Sequence, residues 1–398
     1  MLIANAKICD VDGERVADVR IKNGFVVEIG EGLNDPETID AKGAYLLPSL
    51  IDTNVSVQDG VLNAKNIQAL WSEAQKGGVG HIVLTPRTTP AIDDGVVLEF
   101  AQNGINSLDG AKVDLTLNAL QSDLTLSNIA ILLKRGAVAP YMSTIAKNAV
   151  AIKVAEYVKM YGVTLFCKAE DNSLISSGVM LDGDVSSRLG IAGISYLSEV
   201  LHVSRMIEIA RHFEIKILFK SIASPRSVEL INKAKEEGVA VSCEVSLHHL
   251  INSDEACEGF NTVAKLDPPL ASNDDMQELQ EMLKCGKIDM LTTLHQPSSP
   301  VNKEVAFFDA AYGCSALSHA LSLYYTKLVK TGLISMSKLV ELTVENSAKS
   351  IGVEAGRVTK GSRANFVLFD TNTTTEVVDT LSLYNGEVLS GSVVKTLT

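Results

Sequence analysis

Three histidines stand where chemistry is conceivable: the adjacent pair His248-His249, and His295 inside Thr293-Leu294-His295-Gln296-Pro297. An imidazole can hold a divalent metal or move a proton near neutral pH. Lys168-Ala169-Glu170-Asp171 sets two carboxylates beside an ammonium, a combination that could serve as an acid–base pair. Arg87, Lys168 and Lys220 would make a basic pocket if the fold brings them together without acids. Each has a plainer reading, and the plainer one is expected. The histidines are then structural groups satisfied by backbone carbonyls, and Glu170 and Asp171 a loop-tip pair facing water. The three cations then form ion pairs with Glu170, Asp171 or Asp267.

These residues need elements to position them. The chain has 398 residues, 46% hydrophobic and 21% charged, enough for one large domain and a smaller one. Both ends read as hairpins. Leu2-Ile3-Ala4, Val19-Arg20-Ile21 and Phe25 to Ile29 flank an Asn23-Gly24 turn, and Asn365 to Asp370 precedes a second Asn-Gly at Asn385-Gly386. Two such ends around a long middle suggest one small sandwich built from both. In the middle, short apolar strands alternate with helical patterns: His81 to Thr85, Val113 to Leu117, Val163 to Cys167, Lys216 to Lys220, Ala240 to Glu244 and Asp289 to Thr293. About eight βα units predict a parallel (β/α)8 barrel, with a doubly wound sheet as the rival. Neither phosphate-cradling glycine motif is present to favour that rival. A barrel places its chemistry at the C-terminal ends of its strands.

Totals narrow the partners. A net charge of −13 disfavours nucleic acid and anionic membranes. No apolar run reaches membrane-spanning length and the start lacks signal-peptide grammar, so a cytoplasmic protein is expected. The six cysteines, Cys9, Cys167, Cys243, Cys257, Cys285 and Cys314, form no C-x-x-C pair and read as free thiols. Trp71 reads as core, His81 as structural, and His202, His212 and His319 as surface or boundary residues.

Pro48 to Asp59 (Pro-Ser-Leu-Ile-Asp-Thr-Asn-Val-Ser-Val-Gln-Asp) resembles the first-strand motif of dihydroorotases and related cyclic amidohydrolases, P-G-L-I-D-x-H-x-H-L-R-[DE]. The resemblance continues in order through Gly77-Gly78, Thr85 to Pro90, Lys168 to Asp171, Ser198-Glu199, Cys243 to Leu250, Asp267-Pro268-Pro269-Leu270 and Thr293 to Pro297. It implies a TIM-like amidohydrolase barrel over 48–352, with a β-sandwich from 1–47 and 353–398. In that family zinc is held by histidines on separate strands and a bridging carboxylate, and an aspartate receives the proton of the metal-bound water.

Matched to those motifs, the chemistry is gone from this chain. Asn54 and Ser56 stand for the H-x-H histidines, Lys168 for the histidine of H-A-E-D, and Ser221 (or Lys220, one residue earlier) for the next. The segment Gly136 to Thr144, where the bridging aspartate belongs, holds no carboxylate. Leu294 replaces the catalytic aspartate and Ser298 a terminal histidine. Among substrate-binding positions, Gln58 replaces an arginine, Arg87 and Asp267 replace asparagines, Ala271 replaces another arginine, and His295 survives. No catalytic residue and no bound zinc are therefore expected. The resemblance extends to inactive dihydroorotase homologues that assemble with aspartate transcarbamoylase, which implies a structural role with that partner and leaves a homo-oligomer possible. Two alternatives stay open: an active cyclic amidohydrolase with an atypical metal site or a metal-free set of Lys168, Asp171 and His295, and a non-hydrolysing binder of carbamoyl aspartate or dihydroorotate.

Overall fold

The structure is a computed structural model and describes residues 1–142 and 147–398. Strands β1 (Leu2–Asp10), β2 (Gly13–Lys22), β3 (Phe25–Gly30), β4 (Thr38–Asp40) and β5 (Tyr45–Pro48) come from the N-terminal end. The C-terminal end adds β17 (Phe366–Glu376) and β18 (Val388–Leu397). All seven share one sheet, ordered β18-β17-β5-β1-β2-β3 with β4 on β1. The two ends of the chain meet where β17 runs antiparallel to β5, from Phe366 opposite Pro48 to Phe369 opposite Tyr45. Alternation along these strands buries Ile3, Ile8, Val19, Leu46, Phe366 and Leu368 in a core separate from the main one. This is the small sandwich that the hairpin patterns implied. Asn23 and Gly24 both take positive φ, as a two-residue hairpin turn requires. Asn385-Gly386 instead lies in the long connection between β17 and β18.

Eight parallel strand positions form the barrel: β6 (Leu50–Val55), β7 (Val79–Leu84), β8 and β9 (Val113–Leu115 and Leu117–Asn118, one strand interrupted at Thr116), β10 (Pro140–Met142), β11 (Thr164–Lys168), β14 (Lys216–Lys220), β15 (Val241–Ser246) and β16 (Met290–Thr292). Two short strands, β12 (Met180–Leu181) and β13 (Gly193–Ile194), pair outside it. Runs such as Leu165-Phe166-Cys167 are wholly buried because helices cover the outside while side chains fill the inside. The helix Ala64–Lys76 shows how sequence sets an element. Asn63 caps it by accepting from the Asn66 N–H at 2.8 Å, and Ile67, Leu70, Trp71 and Ala74 line its buried face. It stops at Gly77, where a Cβ would stand 1.8 Å from the Leu317 carbonyl oxygen, so only glycine admits this close approach.

Candidate functional site

The C-terminal ends of β6, β14, β15 and β16 converge on a buried polar knot. The Lys220 ammonium, at the last residue of β14, donates to the Thr53 carbonyl at 3.0 Å and the Thr53 hydroxyl at 2.9 Å, and pairs with the Glu244 carboxylate. Glu244 accepts in addition from the Thr53 hydroxyl at 2.6 Å and from Asn54 Nδ2 at 2.8 Å. Asn54 also donates to Ser221 Oγ at 2.6 Å. Lys220 is 2% exposed and Glu244 fully buried. Burial pushes the Lys220 pKa below the usual lysine value, with Glu244 opposing the shift. Beneath the knot, Asp52 accepts from the Thr292 hydroxyl at 2.6 Å and from the Thr293 N–H at 2.9 Å and hydroxyl at 2.5 Å, locking β6 to β16.

A second group lies at the rim. Lys168, the last residue of β11, donates to Asp267 at 2.7 Å and pairs with Glu170, while Arg87 reaches the same aspartate at 2.9 Å. Burial alone would raise the Asp267 carboxyl, but the two cations overcome it and hold the group well below the usual carboxylate range. The cations thus find acids, as expected for Lys168 and Arg87. Lys220 departs from expectation: its acid is Glu244, to which the sequence had assigned no role. Asp171 is not in the rim cluster; it caps the turn at Ser173, accepting from that residue's N–H at 2.9 Å.

The three histidines are buried and bonded within the fold, though not all by the expected backbone carbonyls. His249 meets backbone carbonyls, those of Pro268 and Pro269 at 3.2 and 3.1 Å, and its Nδ1 bonds Ser246 Oγ at 2.7 Å. His248 pairs with side chains instead: Nδ1 with the Tyr384 hydroxyl at 2.7 Å and Nε2 with Cys314 Sγ at 3.3 Å. His295 Nδ1 accepts from the Ala316 and Leu317 amides at 3.2 and 3.3 Å, so its proton sits on Nε2, 3.3 Å from Glu73 Oε2. That contact is close enough for attraction but lacks hydrogen-bond alignment. Burial drives the His295 pKa down to about 3 and raises Glu73 to about 7. His202, expected near the surface, is buried at 2% exposure against Cys167 Sγ at 3.3 Å.

Asn54, Ser56, Arg87, Lys168, Ser221, Asp267, Leu294 and His295 all border one small space of about 20 Å³, room for about one water. Gln58 does not join them. Its side chain is exposed on the turn after β6, outside the lining. Ser298 is buried and bonds the Tyr312 carbonyl weakly at 3.4 Å. A larger cavity of about 270 Å³ opens outward from the rim past Tyr196 and Leu181, with Ala271 in its wall. Of the Gly136 to Thr144 segment, Ser143 and Thr144 lie outside the described residues. Among the described residues, no three His, Cys, Asp or Glu side chains gather in a way that could hold a metal ion.

The donor set also fails a zinc test chemically. An amide (Asn54), hydroxyls (Ser56, Ser298) and an ammonium (Lys168) stand at histidine positions implied by the resemblance, and Ser221, or Lys220 one residue earlier, at the remaining one. At an effective dielectric of about 20, an ammonium about 4 Å from a dication costs about 8 kcal/mol. The residues present do not fit zinc.

Comparison with known proteins extends the picture. Residues 197–397 match the amidohydrolase family. A dihydroorotase of Elusimicrobium minutum (strain Pei191) is 34% identical over 382 residues, spanning 93% of this chain and 88% of that protein. A dihydroorotase of Caldanaerobacter subterraneus subsp. tengcongensis is 32% identical over 381 residues, spanning 92% and 87%. Among solved structures, an L-hydantoinase (dihydropyrimidinase) from Arthrobacter aurescens aligns with a TM-score of 0.89 at 22% identity, over 100% of this chain and 94% of that one. A D-hydantoinase (dihydropyrimidinase) from Thermus sp. aligns at 0.84 and 19%, over 100% and 93%. At those identities the structural likeness speaks to the fold.

Proposed function

This chain belongs to the amidohydrolase family, with dihydroorotases as its relatives, and from that premise we propose that it is a non-catalytic dihydroorotase homologue retained as a structural subunit of pyrimidine biosynthesis. The observation that carries the reading is Lys220. Its ammonium is buried at the strand ends, with three hydrogen-bond acceptors from Thr53 and Glu244 around it, in the region where the family's imidazoles would converge on a cation. A fixed ammonium can neutralise acids but offers no exchangeable water to activate.

The proton path supports the same reading. Leu294 cannot accept a proton, and His295 is a poor substitute. Its Nδ1 is taken by two amides, and burial keeps the ring neutral with little basicity. Retained binding of an anionic substrate is less favoured, because Arg87 and Lys168 already share Asp267. The partner in this reading is aspartate transcarbamoylase, on the strength of the sequence resemblance, with the fold kept for its surface while the site decayed.

The test combines three measurements on the purified chain. It is expressed with excess zinc, stripped of loose metal and assayed for zinc by elemental analysis. It is assayed for dihydroorotate hydrolysis and carbamoyl aspartate cyclisation, then mixed with aspartate transcarbamoylase and sized. Well under one zinc per chain, no turnover and a larger joint particle are expected. One tightly held zinc, or turnover that a chelator abolishes, would overturn the reading.

A further inference from the structure

At the opposite end of the barrel from the site described above, the structure holds a second concavity that neither the family chemistry nor the proposed role uses. It lies where the N-terminal ends of β6 and β7 face the stretch that leads into β17, and it encloses about 1000 Å³, the upper end of what small-molecule sites offer. Its wall is basic. Lys112, Lys349, Arg357, Lys360 and Arg363 line it against two carboxylates, Glu345 and Glu354. In a chain of net charge −13 this is a local reversal of sign.

The pairing within the wall sharpens the point. Glu345 is shared by Lys349 at 3.0 Å and Arg357 at 2.7 Å. Lys112, Lys360 and Arg363, by contrast, make no ion pair among the described residues. Lys112 donates to the Asn365 side-chain oxygen, and Arg363 stacks over the Phe25 ring at 5.4 Å. Burial and the neighbouring Arg363 both push the Lys112 pKa down, so the two like charges oppose each other without an acid between them. Such charges are retained at a cost that an anion would relieve. Ile51, Pro48, Val353, Ala355 and Phe366 supply apolar wall beside the cations.

We propose that this cavity is a binding site for a small phosphorylated ligand, its phosphates held by Lys112, Lys360 and Arg363 and its organic part laid on the apolar wall. Guanidinium and ammonium groups form charge-assisted bonds with phosphate oxygens, and a concave site of this size suits a nucleotide-sized molecule. The overall negative charge of the chain disfavours an extended polyanion such as nucleic acid.

The experiment is isothermal titration of the full chain with inorganic tripolyphosphate and, separately, with ATP and UTP, at low and at physiological salt. The variant Lys360→Glu/Arg363→Glu and the remote control Lys159→Glu are titrated alongside, with circular dichroism to establish that each is folded. Saturable binding of one equivalent is expected, weakened at least about tenfold in the double variant and unchanged in the control. Tighter binding of a nucleotide than of tripolyphosphate supports a role for the apolar wall, and equal affinity supports phosphate recognition alone. No saturable binding at millimolar concentration overturns the proposal. So does binding that the folded double variant keeps in full, or a single-stranded 20-mer binding more tightly than either probe. The site shares no residue with the strand-end cluster, so its failure would leave the proposed structural role untouched.

Discussion

The Lys220–Glu244 pair makes a sharp prediction about stability. Replacing Lys220 by Met keeps the length of the side chain and removes its charge, leaving the Glu244 carboxylate fully buried. Breaking a buried pair from one side costs about 3–5 kcal/mol. Here Glu244 keeps two donors, Thr53 Oγ1 at 2.6 Å and Asn54 Nδ2 at 2.8 Å, so the cost should fall near the lower end, about 3 kcal/mol. The double variant Lys220→Met/Glu244→Leu removes both charges and should lie within about 1 kcal/mol of the parent, about 2–3 kcal/mol more stable than the single variant. Urea unfolding followed through Trp71, the single tryptophan and buried in the first barrel helix, reads this region directly. A pH series adds an independent check. The folded chain holds Lys220 below 10.5 and the unfolded chain does not, so the unfolded state binds more protons just below that value. Parent stability should therefore rise relative to Lys220→Met as pH climbs towards 10.5. A single variant costing under about 1 kcal/mol, or a double variant as damaged as the single, would refute the claim that a buried charge pair fills this site.

Three further variants probe other buried charges. Glu199 accepts from the Ala223 and Ser224 amides at 2.9 and 3.0 Å, yet burial raises its pKa to about 7. The fold then binds an extra proton between 4.5 and about 7, so the parent should lose up to about 3 kcal/mol across that window, and thermal melts of Glu199→Gln should lack the loss. Asp267 is held below its ordinary value, so its contribution is present above about pH 4 and lost on acidification; Asp267→Asn should cost about 2 kcal/mol at pH 7 and flatten the acid limb of a denaturation series. Lys303 is 3% exposed, donates to the Thr262 and Ala311 carbonyls at 2.8 and 2.7 Å, and has its pKa lowered by burial to about 8. The unfolded state then binds the extra proton between about 8 and 10.5, so the parent should gain stability as pH rises through that range while Lys303→Met does not.

Much of the barrel was legible because its strands are short apolar runs between helical patterns, and Lys216–Lys220 begins and ends where the sequence placed it. Two strands were harder. Leu50–Val55 emerged from its motif rather than from periodicity, since every residue in it is buried and none alternates. Pro140–Met142 has three residues and no pattern to detect. At the site, the substituted positions could be read by matching motifs, but the acid that Lys220 would find could not. Glu244 is 24 residues away on the next strand, and only the barrel's lateral packing puts the two side chains together. Gln58 shows the converse error of matching alone, since its position in the motif says nothing about where an uncharged, exposed side chain will turn. His202 lies on a helix whose amphipathic pattern is weak, and the Cys167 contact that buries it comes from another element.

If the site has lost a metal, as proposed above, the local backbone shows how the fold could accommodate that loss. Ser221 and Leu294, both at positions where the resemblance implies catalytic groups, adopt left-handed φ values of 52° and 47°. Neither is a glycine, and each such residue costs of order 1 kcal/mol. Nothing in their present side chains requires that geometry, since Leu294 is a buried apolar group and Ser221 merely accepts one bond from Asn54. In the proposed reading, the strand ends thus keep a shape suited to converging ligands without the ligands themselves. Keeping that shape leaves acids at the barrel mouth that still need a counter-charge, and losing a metal through a neutral substitution alone would strand them at several kcal/mol. Lysine resolves both demands at once: Lys220 meets Glu244 and Lys168 meets Glu170, each from the end of a barrel strand. A tethered ammonium supplies the charge but cannot polarise a water, so in the proposed non-catalytic reading the exchange that keeps the acids paired is the same one that removes the chemistry.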